Sequence, residues 1–178
     1  MNTLRTQRLE GRPIRPRDAS FAAALFGREE VGRWTGEGDP WTRAVAAQRA
    51  RAFAAHWTAH GFGLRLWRDA RGPAGVAGLQ FCVLEGAAAI EASFAFAPER
   101  WGEGLATEAM RASLAEAQAI CAEVQAVVRE GNAPAVAVLR RLGFVERAST
   151  LRGLRRFARP TAGAGLAPPR SAAGGRGA

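Results

Sequence analysis

A chain of 178 residues with 48% apolar content can close one hydrophobic core and is too short for two ordinary domains. Its apolar runs span a few residues, far below the roughly 18 that cross a bilayer, and residues 1–5 lack the apolar stretch of a secretory leader, so a soluble, cytoplasmic protein without a membrane partner is expected. The charge of +9 is uneven: residues 147–178 carry seven arginines and no acid, while residues 1–146 carry 18 arginines against 16 acids, so the folded part is near balance and a nucleic-acid partner is not expected.

In chain order, residues 8–14 predict a first strand, which Gly11 and Pro13 push to an edge. Asp18 is placed to cap a short helix reaching Phe26, and Thr42 a longer one reaching His60, stopped by Gly61 and Gly63. Residues 64–67, 76–84 and 88–96 read as three strands, with turns at 71–73 and 85–86. Residues 105–120 predict a helix, 124–129 a strand, 133–142 a helix, and 144–151 and 154–157 two short strands. The class is α/β, a largely antiparallel sheet with one strand-helix-strand crossover. Residues 160–178 hold one large apolar side chain and predict a disordered tail behind a single domain of residues 1–159.

Two cysteines, Cys82 and Cys121, far apart and without a C-x-x-C pair, support neither a disulfide framework nor a zinc cage. His56 and His60 stand at i and i+4 with no third ligand nearby and read as rim histidines, so no metal is expected. All basic side chains are arginine, and no tyrosine hydroxyl is available anywhere in the chain.

The most informative stretch is a strand, then Pro98-Glu99-Arg100-Trp101-Gly102-Glu103-Gly104, then a helix beginning at Leu105. Glycines let backbone approach a ligand closely, and the first turn of a helix points unpaired N–H groups and the positive end of its dipole outward, so the turn is an anion site by construction. It lacks the Gly-Lys-Ser/Thr ending of a P-loop and, with Thr107, the G-x-G-x-x-G spacing.

Residues 101–109, Trp-Gly-Glu-Gly-Leu-Ala-Thr-Glu-Ala, resemble the W-G-x-G-x-A-T-E-A form of the pyrophosphate motif of the GNAT N-acetyltransferase superfamily, in the branch of ribosomal-protein N-terminal acetyltransferases. Residues 6–18, Gly61-Phe62-Gly63, and the run from Asn132-Ala133-Pro134-Ala135 to Leu142-Gly143-Phe144 resemble further segments of that branch, in order. The resemblance implies the GNAT fold, a twisted, mostly antiparallel sheet of about seven strands splayed between the fourth and fifth, flanked by helices. It implies acetyl-CoA as acyl donor and transfer to a primary amine, on a protein N-terminus or a small molecule. Carried over to these positions, backbone groups of Phe94, Ala95 and Phe96 would meet the pantetheine arm. Those of Trp101, Gly102, Glu103, Gly104, Leu105, Ala106 and Thr107 would meet the pyrophosphate, Asn132 would bond the arm from the next strand end, and Arg100, Arg140 and Arg141 are candidates for the adenosine 3′-phosphate.

The chain departs from the superfamily at three places. Trp101 stands where many members have Gln or Arg, Leu139 where many have the tyrosine that protonates the leaving thiolate, and Ala135 where the branch has a serine. A non-catalytic acyl-CoA-binding module is therefore the alternative reading, and a homodimer is left open. Alternation along residues 90–96 places Glu91 with Ser93, opposite Ile90, Ala92, Phe94 and Phe96, which makes Glu91 the candidate general base against the plainer reading of a solvated or salt-bridged carboxylate. Trp34, Glu37 and Trp41, in a loop that also holds Asp39, are candidates for the amine acceptor, with a plain packed loop as the alternative.

Overall fold

A computed structural model describes residues 2–36 and 38–162. The strands are β1 (Leu4–Arg5), β2 (Glu10–Pro13), β3 (Leu64–Asp69), β4 (Gly72–Leu84), β5 (Ala87–Phe96), β6 (Glu123–Arg129), β7 (Val145–Arg147) and β8 (Leu154–Pro160). The α-helices are α1 (Ala19–Phe26), α2 (Glu29–Gly32), α3 (Arg43–His60), α4 (Leu105–Ala117) and α5 (Ala133–Arg141). One sheet runs in the order β1-β2-β3-β4-β5-β6-β8-β7. All pairings are antiparallel except β5 with β6, which share the single parallel bridge Glu91 to Gln125. Parallel neighbours require a crossover, and α4 supplies it.

Each face of the sheet carries its own apolar layer. Leu79, Ile90, Ala92 and Phe96 pack with Leu105, Met110 and Leu114 of α4 and with Leu139 of α5. On the opposite face, Leu64, Leu66 and Val76 pack with Ala22, Leu25 and Phe26 of α1 and with Ala46 of α3. The period-2 strands and 3.6-period helices thus close against each other as their patterns require. Thr42 caps α3 through its hydroxyl, which accepts from the Val45 N–H at 3.3 Å.

The described residues form eight strands, one more than the reading of about seven. β1 is two residues long and α2 one turn, too short to leave a periodic signal. β4 begins before Val76 because Gly75 pairs with Phe96; a Cβ at Gly75 would lie 2.6 Å from the Phe96 ring, so this glycine serves close packing inside a strand. Asp18 does not cap α1. Its carboxylate turns back to accept from the Arg15 N–H at 2.8 Å and, bidentately, from Arg12 at 2.7 Å. β8 runs past residue 159: Pro160 pairs with Glu123, and the Thr161 N–H donates to the Ala122 carbonyl at 2.8 Å. The remainder of the tail, residues 163–178, lies outside the described residues.

Candidate active site

The turn before α4 has the geometry of an anion cradle. Gly102 (φ 80°) and Gly104 (φ 79°) are left-handed, a conformation that side chains disfavour. A Cβ at Gly102 would meet nothing within 4 Å, and one at Gly104 only Arg8 at 3.7 Å. Among the described residues no side chain caps the N-terminus of this 13-residue helix. Its first amide groups and the positive end of its dipole are left for a ligand.

Charged side chains brace the turn from behind. Arg100 is buried and paired with Asp69 and Glu103, and Arg71 also binds Glu103, at 2.9 Å. Hydrogen bonds from these arginines hold the Asp69 and Glu103 carboxyls below their usual range. Arg100 is therefore turned inward as a fastener of the loop, which does not match the expectation that it reaches a phosphate. Arg8 donates to the Glu103 carbonyl at 2.9 Å and pairs with Glu108 at 2.6 Å, and Thr6 donates to Glu108 at 2.6 Å. These bonds outweigh burial and lower the Glu108 pKa. The Thr6-Gln7-Arg8 segment thus pins the first turn of α4 to the N-terminal strands.

Beside the cradle, β5 parts from β6. The Ala97 N–H donates to the Ala74 carbonyl at 2.9 Å, and ladder alternation then directs the amide groups of Phe94 and Phe96 toward the β6 side. Beyond the Glu91 to Gln125 bridge no pairing with β6 occupies them. The Phe96 carbonyl accepts from the Trp101 indole N–H at 2.7 Å; the Phe94 groups and the Phe96 N–H remain for a ligand in the cleft. Asn132 stands at the end of β6, where its side chain caps α5 by accepting from the Ala135 N–H at 3.2 Å. Only its amide NH₂ is left to donate.

Glu91 lies on the face opposite Ile90 and Ala92, as alternation predicts, in a half-buried polar pocket. Gln80, directly across on β4, donates to the carboxylate at 3.2 Å and to Ser93 at 3.4 Å. Burial raises the Glu91 pKa, against the opposing hydrogen bond from Gln80. Gln125 flanks it on β6 and accepts from Arg156 at 3.0 Å. Arg156 also binds Glu85 at 2.8 Å, and Glu85 accepts from Thr150, so the β4–β5 hairpin tip is tied to β8 and to the loop before it. Cys82 is near enough for the Glu91 charge to act on it: burial first, and Glu91 second, push its thiol up to about 11. It is a protonated thiol at neutral pH and a poor nucleophile.

The predicted acceptor residues separate. Trp41 stacks on Phe26 with ring centroids 4.1 Å apart and belongs to the packing of α1. Trp34 lies under Arg33 and next to Gly131, beside Asn132, which brings it to the mouth of the cleft. The Gly36 carbonyl accepts from Arg129 at 2.7 Å, anchoring this loop to the end of β6. Glu37 lies outside the described residues. His56 faces the free edge of β4, donating from Nδ1 to the Phe62 carbonyl at 2.9 Å and accepting at Nε2 from the Phe81 N–H at 3.0 Å, which requires the neutral ring. Burial lowers its pKa, in keeping with that state. Gln80, Gln125 and Arg156 carry no signal in the sequence that would single them out; only the cross-strand register assembles them around Glu91.

A glycine-hinged helix N-terminus beside a splayed parallel strand pair can hold one extended, anionic ligand along a single cleft. The chain belongs to the GNAT acetyltransferase family: the family profile described as "Acetyltransferase (GNAT) domain" matches residues 8–145. No curated protein matches it. Among solved structures it is similar to a GnaT-family acetyltransferase from Bordetella pertussis (25% identity, TM-score 0.73, 89% of this chain and 99% of that one). It is also similar in fold to a ribosomal-protein-S5-alanine acetyltransferase from Vibrio fischeri (17%, TM-score 0.68, 90% and 97%). A third is a spermidine N-acetyltransferase from Vibrio cholerae, solved with CoA and spermine (18%, TM-score 0.68, 87% and 96%).

Proposed function

We propose that this protein moves an acetyl group from acetyl-CoA to a primary amine by direct transfer. The observation that carries the reading is the juxtaposition of the open N-terminus of α4, the unpaired amides of Phe94 and Phe96, and Glu91 in its polar pocket, all along one parted strand pair. The amides of residues 102–107 hold the pyrophosphate, and the Phe94 and Phe96 groups with the Asn132 amide align the pantetheine arm. The amine nitrogen attacks the thioester carbon, and Glu91, directly or through one water, takes the proton the ammonium loses. Collapse of the tetrahedral adduct breaks the C–S bond and releases the coenzyme thiolate, which takes its proton from the protonated Glu91 or from water. A coenzyme thiol with a pKa of about 8.5 leaves without a dedicated acid, which fits a chain with Leu139 and Ala135 at the family's usual donor positions. The protonated Cys82 disfavours an acyl-cysteine intermediate.

The site suits an acceptor of low basicity. A peptide α-amine with pKa near 8 is about one tenth neutral at pH 7, whereas a lysine amine near 10.4 requires about 4 to 5 kcal/mol to deprotonate. With a single half-buried carboxylate as its base, the pocket fits an α-amine or a comparable small amine in the cytoplasm. Titration calorimetry with acetyl-CoA tests the reading: micromolar-range binding is expected, and no heat at millimolar concentration overturns it. The buried Leu139, replacing a hydroxyl, is the observation that favours a second reading, a coenzyme-binding module without turnover.

A further inference from the structure

An open, basic groove lies at the far end of the α4/α5 layer. It has a volume of about 490 Å³ and is lined by Arg111, Leu114, Ala115 and Gln118 of α4 and its C-terminal turn, by Arg141, Leu142 and Gly143 at the end of α5, and by Arg159 of β8. The volume falls in the range of roughly 300–1,000 Å³ typical of small-molecule sites. Both helices run antiparallel to β6, so their N-termini face the coenzyme cleft and their C-termini face this groove; Gln118 is about 20 Å along the axis from Leu105. Arg159 pairs across from Val124 near the start of β6 and reaches over Gly143, where a Cβ would sit 3.6 Å from its Nε. The site is thus distinct from the pyrophosphate cradle.

Three arginines line it, and among the described residues no acid does. Among the described residues none of the three is paired with a carboxylate, although nine other arginines are. Like charges lining one groove repel, and a bound anion relieves that repulsion. Helix dipoles explain only one of them: Arg141 sits in the last turn of α5, but Arg111 is in mid-helix and Arg159 is on a strand. Between the charges, the buried Leu114 and Leu142 with Ala115 form an apolar floor, and Gln118 supplies an amide.

We propose that this groove binds a phosphorylated small molecule, its phosphates forked by Arg111, Arg141 and Arg159 and its organic body resting on Leu114, Ala115 and Leu142. ATP and inorganic tripolyphosphate are the probes, titrated calorimetrically into the full chain with and without saturating coenzyme A, in the wild type, in Arg111→Gln with Arg159→Gln, and in Gly104→Val. ATP binding that persists under coenzyme A and in Gly104→Val, and that weakens at least tenfold in the arginine double variant while coenzyme affinity stays within twofold, is the expected result. Because Gly104→Val touches only the cradle, this outcome is independent of the acetyl-CoA reading. Tighter binding of ATP than of tripolyphosphate supports the apolar floor, and equal binding refutes that part. ATP displaced by coenzyme A, ATP affinity unchanged in the double variant, or saturable binding of an RNA oligonucleotide alone overturns the proposal. Arg111 is exposed; should the double variant melt early, Arg111→Gln alone must weaken ATP severalfold.

Discussion

Replacing Glu91 by Gln keeps the shape of the side chain and removes its charge from a half-buried pocket in which Gln80 is the hydrogen-bond donor seen at the carboxylate. Burial raises the folded-state pKa above that of the unfolded chain. The wild type therefore carries no penalty at this site below the unfolded value, near 4.5, and loses stability as pH rises through the raised folded value, where the buried charge appears. Glu91→Gln is expected to melt above the wild type at pH 7 to 8, with the difference closing toward pH 4. Turnover should move the other way: loss of a positioned base costs about 10²-fold or more, equivalent to about 2.7 kcal/mol of barrier, with acetyl-CoA affinity preserved. The deficit shrinks at higher pH as the amine deprotonates unaided. Thermal melts across pH 4 to 8 and steady-state rates on one acceptor check both arms. Turnover within twofold of wild type at pH 7, or a variant that melts lower at every pH, refutes the assignment and leaves the carboxylate structural.

Gly104→Val puts a branched side chain into the open space of the cradle; the left-handed backbone costs about 1 to 3 kcal/mol of stability, and acetyl-CoA binding should be lost with the far-UV spectrum intact. Binding equal to the wild type would mean that the cradle lies elsewhere. Glu116→Ala strands the Arg65 guanidinium, which is 1% exposed, bonds Glu116 bidentately at 2.7 and 2.8 Å and lies over Trp57; with Glu116 itself 34% exposed, a loss of about 2 to 3 kcal/mol is expected, read as a drop of roughly 5 to 10 °C in melting temperature. A drop below about 2 °C would show that water already compensates this pair. Truncation after Ala162 should leave the melting temperature unchanged, whereas truncation after Arg159 removes the Pro160 pairing and the Thr161 bonds and should lower it measurably; equal melting of the two would remove any role for the end of β8.

Much of the glycine turn before α4 was legible in the sequence because it is built from one continuous segment. The glycines, the turn and the helix start lie within residues 98–107, and local chemistry alone marks them as a candidate anion site. The face occupied by Glu91 followed from alternation, since a strand has no freedom to mix its faces. What surrounds Glu91 was not legible. Gln80, Gln125 and Arg156 come from three other strands, and only register brings them together. Arg100 misled for the same reason: its buried position depends on Asp69, 31 residues earlier, whose location the turn sequence does not reveal. Trp41 reads as a candidate for the acceptor, but Phe26 provides a stacking partner once α1 is in place, which settles it as packing. The eighth strand escaped because two residues carry no period.

The most direct test of the account is amine-dependent release of the coenzyme thiol, followed with the full chain, acetyl-CoA and a panel of peptide α-amines, polyamines and small primary amines, with product masses read in parallel. Thiol release above the hydrolytic background, matched by acetylation of an amine nitrogen and abolished in Gly104→Val, is the predicted result. Saturable binding of acetyl-CoA without thiol release on any member of the panel would contradict catalysis and leave a coenzyme-binding protein.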